Sequence, residues 1–359
     1  MTTTIRRVLI STLIVGMAAA ALGSCGKTPP TAVQGADLTH VQSARPSGGG
    51  AGGGSTSFSG EATAVQANVL GTSTTLSHAG PLPPSGGAAE ASLLSASIPG
   101  TLTAQVLHAT AIGQGDRSRS EASAADLNLT VGGQTIGASF LMARAQAVCA
   151  SGGPQTTGSS EVVNLVINGQ AIVVSGESNQ TITLPAGAGR VVINEQSGST
   201  GSITVNALHV VVTGIADVVI SAAHADVTCQ GKPVCTGNDF VTGGGWITGT
   251  PSGAKGNFGA AGGIKNGSFW GHLTYLDHGA GGPKVKGTGV TGYTVVSATV
   301  RRITGSCEID GQGGFSYTAV VSDNGEPGRN DTFDLSLSNG YRASGTLGGG
   351  NIQLHLPCR

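Results

Sequence analysis

"SITVNALHVVV", residues 202–212, carries the reading of this chain's fold. Ile203, Val205 and Ala207 alternate with Thr204, Asn206 and Leu208. A period of two sends successive side chains to opposite faces of a β-strand. The same habit returns in "RVVINEQ" (190–196) and "ADVVISAAHADVTC" (216–229). Two further stretches show how such runs are joined. "LNLTVGGQTI" (127–136) is broken by Gly132-Gly133 and "VNLVINGQAI" (163–172) by Asn168-Gly169. These dipeptides tolerate the positive φ that a tight hairpin needs at both central positions. The two decapeptides share Asn, Leu, Gly, Gln and Ile in register, so they read as equivalent hairpins in one sheet architecture, too few to make a solenoid. "SRSEASAADL" (118–127) alone fits a helix, and it fits a strand of small residues equally.

Composition agrees with many short strands. Gly supplies 61 of 359 residues, charged residues 10% and aromatics 4%, which argues for turns and against helical bundles. The glycines cluster instead of recurring at every third position, so collagen is excluded. Formal net charge is −1 with no basic stripe, and electrostatics give no support to a nucleic-acid partner.

The N-terminal "MTTTIRRVLISTLIVGMAAAALGSC" places Arg6 and Arg7 before an apolar run from Val8 to Ala21. At about 14 residues that run is shorter than the roughly 20 a membrane helix needs. The pattern is that of a secretory signal peptide over 1–24. Leu22-Gly23-Ser24-Cys25 resembles a bacterial lipobox, which makes Cys25 the expected lipid-attachment residue and the membrane a partner through that lipid. Residues 25–57, with Gly/Ala positions 48–54 at their heart, read as a flexible tether that spans roughly 30 Å.

Folded sequence is expected from Phe58. A composition shift at "CQGKPVCTGNDF" (229–240) divides it into bodies over 58–229 and 230–359. Runs such as "FVTGGGWITG" and "NIQLHLPC" continue the strand pattern in the second. The expected architecture is all-β: two tandem antiparallel β-sandwich-like domains after a signal peptide and a Gly-rich tether. In an oxidising compartment Cys149 is expected to pair with Cys229, and Cys235 with Cys358, leaving Cys307 as a buried free thiol.

Chemistry-bearing residues are sparse. "SDNGEPGRND" (322–331) holds turn formers, and Asp323, Glu326, Asp331 and Asp334 are candidate calcium ligands whose spacing departs from the EF-hand. No other cofactor is implied. His272, His278 and His355 form a candidate transition-metal set. His209 and His224 read as satisfied histidines on strand faces. Trp246, Trp270, Tyr275 and Tyr293 are either a sugar-stacking platform or core. "GTGVTG" (287–292) lacks the βαβ context of a dinucleotide site and reads as a turn-rich linker. No nucleophile elbow, zinc-protease pair or phosphate loop occurs, so no catalytic residue is assigned.

Several of these stretches together resemble the choice-of-anchor P family of bacterial surface proteins. In the first body they are "GEATAVQANVLG" (60–71), "PPSGG" (83–87), "LLSASIPG" (93–100), "GSSEVVNLVINGQ" (158–170) and "INEQ" with "ITVNALHVVV" (193–212). The second body resembles the domain that often follows that family, through "DFVTGGGWI" (239–247), "LTYLDHG" (273–279), "GQGGFSY" (311–317), "DNGEPGRNDTFDL" (323–335) and "GGGNIQLH" (348–355). The resemblance implies export and surface display, with Cys25 as the anchor, and no known reaction. The expected role is a structural or adhesion-type interaction module for an extracellular protein or glycan. The alternative is a secreted polysaccharide-acting enzyme or a carbohydrate-binding protein with its site in the second body.

Overall fold

The structure is a computed structural model that describes residues 56–230 and 237–357. The expected signal peptide and lipid-attachment residue Cys25, all but the last two residues of the expected tether, and the expected Cys235–Cys358 pairing lie outside the described residues.

The chain runs through β1 (Ser57–Val69), β2 (Thr72–Ala79), β3 (Gly87–Ile98), β4 (Leu102–Gln114), β5 (Arg117–Val131), β6 (Gln134–Ala150), β7 (Gly153–Val163), β8 (Val166–Ile167) and β9 (Gln170–Ala171). It continues through β10 (Gln180–Thr183), β11 (Gly189–Ser199), β12 (Ser202–Val212) and β13 (Ala216–Thr228). The remainder is β14 (Phe240–Ile247), β15 (Gly256–Lys265), β16 (Ser268–Asp277), β17 (Lys284–Val295), β18 (Val300–Ile309), β19 (Gln312–Ser322), β20 (Thr332–Leu337), β21 (Arg342–Thr346) and β22 (Gly349–His355). Every strand pairing is antiparallel, and there is no α-helix among the described residues. The all-β expectation holds.

Three sheets result. The first has the order β10-β11-β12-β13-β1-β2, and the middle one β3-β4-β5-β6-β8-β9 with β7 also on β6. The third, made wholly of residues after 239, runs β21-β20-β19-β18-β17-β16-β15-β14-β22. All described residues belong to one compact unit.

β5 shows how the sequence builds the middle layer. "SRSEASAADL" is a strand because its small residues serve two buried faces at once. Ala122 packs with Ala62 and Ala79 of the first sheet and with Ala109 and Ala111 of β4. Such short side chains let the two sheets come close, and Gly60 of β1 has no room to spare: a Cβ there would lie 3.0 Å from Ser118 Oγ. Further along, Val65, Leu107, Leu141, Val205, Val210 and Ile220 are fully buried between the same two sheets. The opposite face of β5 presents Glu121 and Ser123 toward the third sheet, where Asn351 and Gly244 meet them.

The third sheet rolls over on itself. Phe258 of β15 and Phe333 of β20 stand five strands apart in the order, yet their rings stack with centroids 4.0 Å apart. Tyr275, Val285, Ile303 and Leu335 complete that core. "GTGVTG" is not a linker: it lies inside β17, whose register against β18 shifts between Gly287 and Gly289 and again between Val290 and Gly292. The glycines there serve two bulges, which keep the strand and bend it.

The acidic loop is a turn with a second task. β22 is an edge strand, and an edge exposes unpaired N–H groups. Gly350 N–H donates to Glu161 Oε2 (3.0 Å), Ile352 N–H to Asp331 Oδ2 (2.9 Å) and Leu354 N–H to Asp323 Oδ2 (2.8 Å). Three carboxylates thus stand where a neighbouring strand would be. Asp331 is fully buried and its other oxygen accepts from Asn324 N–H at 2.8 Å. Asp331→Ala therefore leaves two amides without acceptors and is expected to cost roughly 2–3 kcal/mol in urea unfolding. Exposed Asp334→Ala is expected to change stability by less than about 0.5 kcal/mol. Equal effects from the two would remove the edge-capping role.

Cys149, near the end of β6, is bonded to Cys229, just after β13, so the bridge fastens the middle sheet to the first. Cys307 is free and buried in the third-sheet core.

Candidate functional site

A trough of about 710 Å3 lies on the middle sheet, where its outward face stays open. β4 contributes Thr103 and Gln105, β5 contributes Asp126, Asn128 and Thr130, and β6 contributes Thr135 and Gly137. Val166 and Gly169 form one wall. The hairpin tips that look alike in sequence meet here. Asn168 of the second accepts from Thr135 N–H (2.8 Å) and donates to Gln134 Oε1 (2.7 Å) of the first.

A distorted ladder shapes this face. The β4–β5 register shifts between Thr103 and Gln105 and again between Gln105 and His108. Val106 and Asp126 carry positive φ, 45° and 46°. For a β-branched valine that conformation is strained, and it persists only where the surroundings over-determine it. Bulges re-aim side chains. Here the amide of Gln105 is left with a buried Oε1 that has no hydrogen-bond partner. Buried polar atoms without partners are uncommon in folded proteins, and this one belongs to a residue that lines the trough. At the rim, Asp126 Oδ2 lies 3.0 Å from His278 Nδ1, and His278 Nε2 lies 2.8 Å from Asn257 Oδ1. The rim is thereby tied to the third sheet. The lining combines hydroxyls and amides with Leu127, Leu129, Ile136, Ala138 and Val166, with one carboxylate already engaged and no lysine or arginine.

The sequence-derived candidates fall elsewhere. His272, His278 and His355 do not converge. His272 Nδ1 contacts Glu90 Oε2, and its Nε2 lies 3.1 Å from His108 Nδ1. His278 is held at the trough rim as described, and His355 Nε2 lies 2.8 Å from Thr242 Oγ1. The Glu90–His272–His108 chain is a buried polar seam between the middle and third sheets. Burial lowers the pKa of His108 to about 4, so its ring is neutral, and its Nε2 has no partner. His209 and His224 are satisfied as read: His209 by Glu195 (2.8 Å) and Asp217 (3.0 Å), His224 by Thr204 (3.0 Å).

Asp323, Glu326 and Asp331 come together, whereas Asp334 stands apart on the exposed face of β20. The oxygens of the first three are already accepting: Asp323 and Asp331 from backbone amides, Glu326 from Gln353 Nε2 at 2.6 Å. No group of three His, Cys, Asp or Glu side chains among the described residues has metal-holding geometry. Glu121 adjoins this cluster, receiving Asn351 Nδ2 at 2.7 Å while its other oxygen is buried and unpartnered. Burial first, then the negative charge of Glu326, raises its carboxyl to about 7. Burial also raises Asp331 to about 6, against the pull of its two amide donors.

The four aromatic candidates form no platform. Tyr275 is fully buried and bonds Tyr341 Oη at 2.7 Å. Trp246 packs with Phe140, Met142 and Leu276 beneath the ammonium of Lys255, 4.3 Å from its ring. Trp270 packs against Phe240, centroids 5.5 Å apart, and beneath Lys265. Tyr293 is half-buried against the third-sheet core. Glu121 escapes a reading of sequence because the polar side of an alternating strand looks solvent-facing until a second sheet covers it, and Gln105 because nothing local signals the register shifts on either side of it.

No protein-family model matches the chain, no curated protein is detectably similar to it, and no solved structure matches its fold.

Proposed function

We propose that the chain is an exported, lipid-anchored protein displayed at a bacterial envelope, of the choice-of-anchor P kind that its motifs resemble, and that it works as an interaction module. The observation that carries the binding role is the trough. Its hydroxyl and amide side chains, set among apolar residues and without a cation, suit a ligand rich in hydroxyl groups, which makes a neutral glycan the first candidate. Lack of lysine and arginine in the lining argues against a nucleic acid or an anionic polymer there. Lack of an aromatic stacking surface points to hydrogen bonding as the source of affinity. The proposed site thus belongs to the first body and not to the second.

An array of neutral oligosaccharides probed with the protein tests this reading, followed by calorimetry on the best binder. Gln105→Leu with Asn128→Leu removes two amide groups and is expected to weaken binding roughly tenfold or more, at about 1 kcal/mol per hydrogen bond. An array with no binder, or a binder indifferent to both substitutions, contradicts the assignment.

A further inference from the structure

Thr242 of β14 and Gln353 of β22 are direct cross-strand partners, and both are buried, at 1% and 5% exposure. Side chains paired this way project from Cβ atoms about 4.5–5.5 Å apart, which brings a hydroxyl within reach of a carboxamide carbon. His355 follows Gln353 by two residues, so it shares the same face. Its Nε2 is 2.8 Å from Thr242 Oγ1, and its ring is stacked on Phe240 with centroids 4.6 Å apart. Burial foremost, with the charges of Arg119 and Arg117, holds this imidazole well below its ordinary pKa, so the ring is neutral and a weaker base than a free imidazole. Its role as proton acceptor rests on its direct contact with the Thr242 hydroxyl. Gln353 Nε2 donates to Glu326 Oε1 at 2.6 Å. Glu326 and His355 both line a cavity of about 150 Å3.

These residues supply the parts of an acyl transfer: a nucleophile bonded to a base, an acyl group directly opposite, and an acceptor orienting the leaving nitrogen. We propose that Thr242 and Gln353 become joined by an ester bond that the fold itself makes. Thr242 Oγ adds to the Gln353 carboxamide carbon while His355 Nε2 takes the hydroxyl proton. The tetrahedral intermediate collapses with cleavage of the carbon–nitrogen bond, and His355 returns the proton to the departing nitrogen. One O–C bond forms, one C–N bond breaks and ammonia leaves through the cavity. No oxidant, reductant or cofactor enters the balance. Burial of both residues keeps water from the ester. The link fastens the first strand of the third sheet to the last covalently, beside the hydrogen bonds and packing that hold β22 to β14.

The test is a peptide map of the purified full chain, digested without alkali. The expected result is a single species containing both Thr242 and Gln353, lighter than the sum of the two peptides by one ammonia and opened by hydroxylamine. Localisation matters because Asn-Gly sites such as Asn324-Gly325 also lose ammonia. Thr242→Val and Gln353→Met are each expected to abolish the linked species, and Thr242→Ser to retain it. His355→Phe is expected to leave most molecules unlinked. Unmodified Thr242 and Gln353 peptides from the wild-type chain overturn the proposal, even where a variant fails to fold. Ammonia loss that persists in Thr242→Val overturns it too.

Discussion

Cys149→Ser with Cys229→Ser is expected to cost about 4–5 kcal/mol of stability. The bridge spans 80 residues, and in the chain-entropy account a loop of that size restricts the unfolded ensemble strongly. The native state has a stake in it as well. The bond joins the end of β6 to the chain leaving β13, one strand from each sheet of the sandwich, and closes the long path through β7 to β12. With a few degrees of melting temperature per kcal/mol for a body of this size, the double variant should melt roughly 10 °C or more below wild type. Paired urea and thermal unfolding curves check this. Superimposed curves would show that the bridge does not constrain the folded protein.

A second large effect is electrostatic and appears only as pH changes. Glu121 is buried, its carboxyl is raised from 4.5 to about 7, and one of its oxygens has no partner. A carboxyl raised in the folded state binds its proton more tightly there than in the unfolded chain. Its stabilising contribution is complete below the unfolded value near 4.5 and is lost as pH rises through about 7. That loss amounts to about 3 kcal/mol at pH 8. Glu121→Gln keeps an acceptor for Asn351 and removes the titration. The stability of the variant relative to wild type should therefore rise by about 3 kcal/mol between pH 4.5 and pH 8. Neutral His108 drives the fold in the opposite sense on acidification, and it cancels in the comparison because both proteins carry it. A difference that does not vary with pH would mean that Glu121 is already ionised or solvated in the folded state.

Strands and hairpins were legible because they rest on local rules. Gly132-Gly133 and Asn168-Gly169 sit at positive φ in two-residue turns, as their chemistry demands. The alternation in "SITVNALHVVV" became β12, with Ile203, Val205 and Ala207 in the core. Here the local signal was also the global answer. Even so, a two-residue turn says nothing of strand length. The arms flanking Asn168-Gly169 shrink to β8 and β9, each two residues long.

What stayed hidden depends on long-range partners. Glu90 reaches His272 across 182 residues, and Glu121 reaches Asn351 across 230. No periodicity reports such distances. "SDNGEPGRND" has the composition of a solvated turn, and it is one, yet two of its aspartates spend their oxygens capping β22. A polar side chain on an alternating strand reads the same whether water or another sheet faces it. The aromatic residues left two readings open, platform or core, and the structure places them in or against the core. Trp246, Trp270, Tyr275 and Tyr293 are few, and a domain with little aromatic area uses what it has for packing.

The decisive measurement is antibody labelling of unpermeabilised bacterial cells expressing the full chain, beside cells expressing Cys25→Ala. Display through a lipid at Cys25 predicts strong labelling of the first, with the variant leaving the cells and appearing in the medium. Labelling that requires permeabilisation, or a Cys25→Ala protein that remains on the cells as before, would contradict a lipid-anchored surface module.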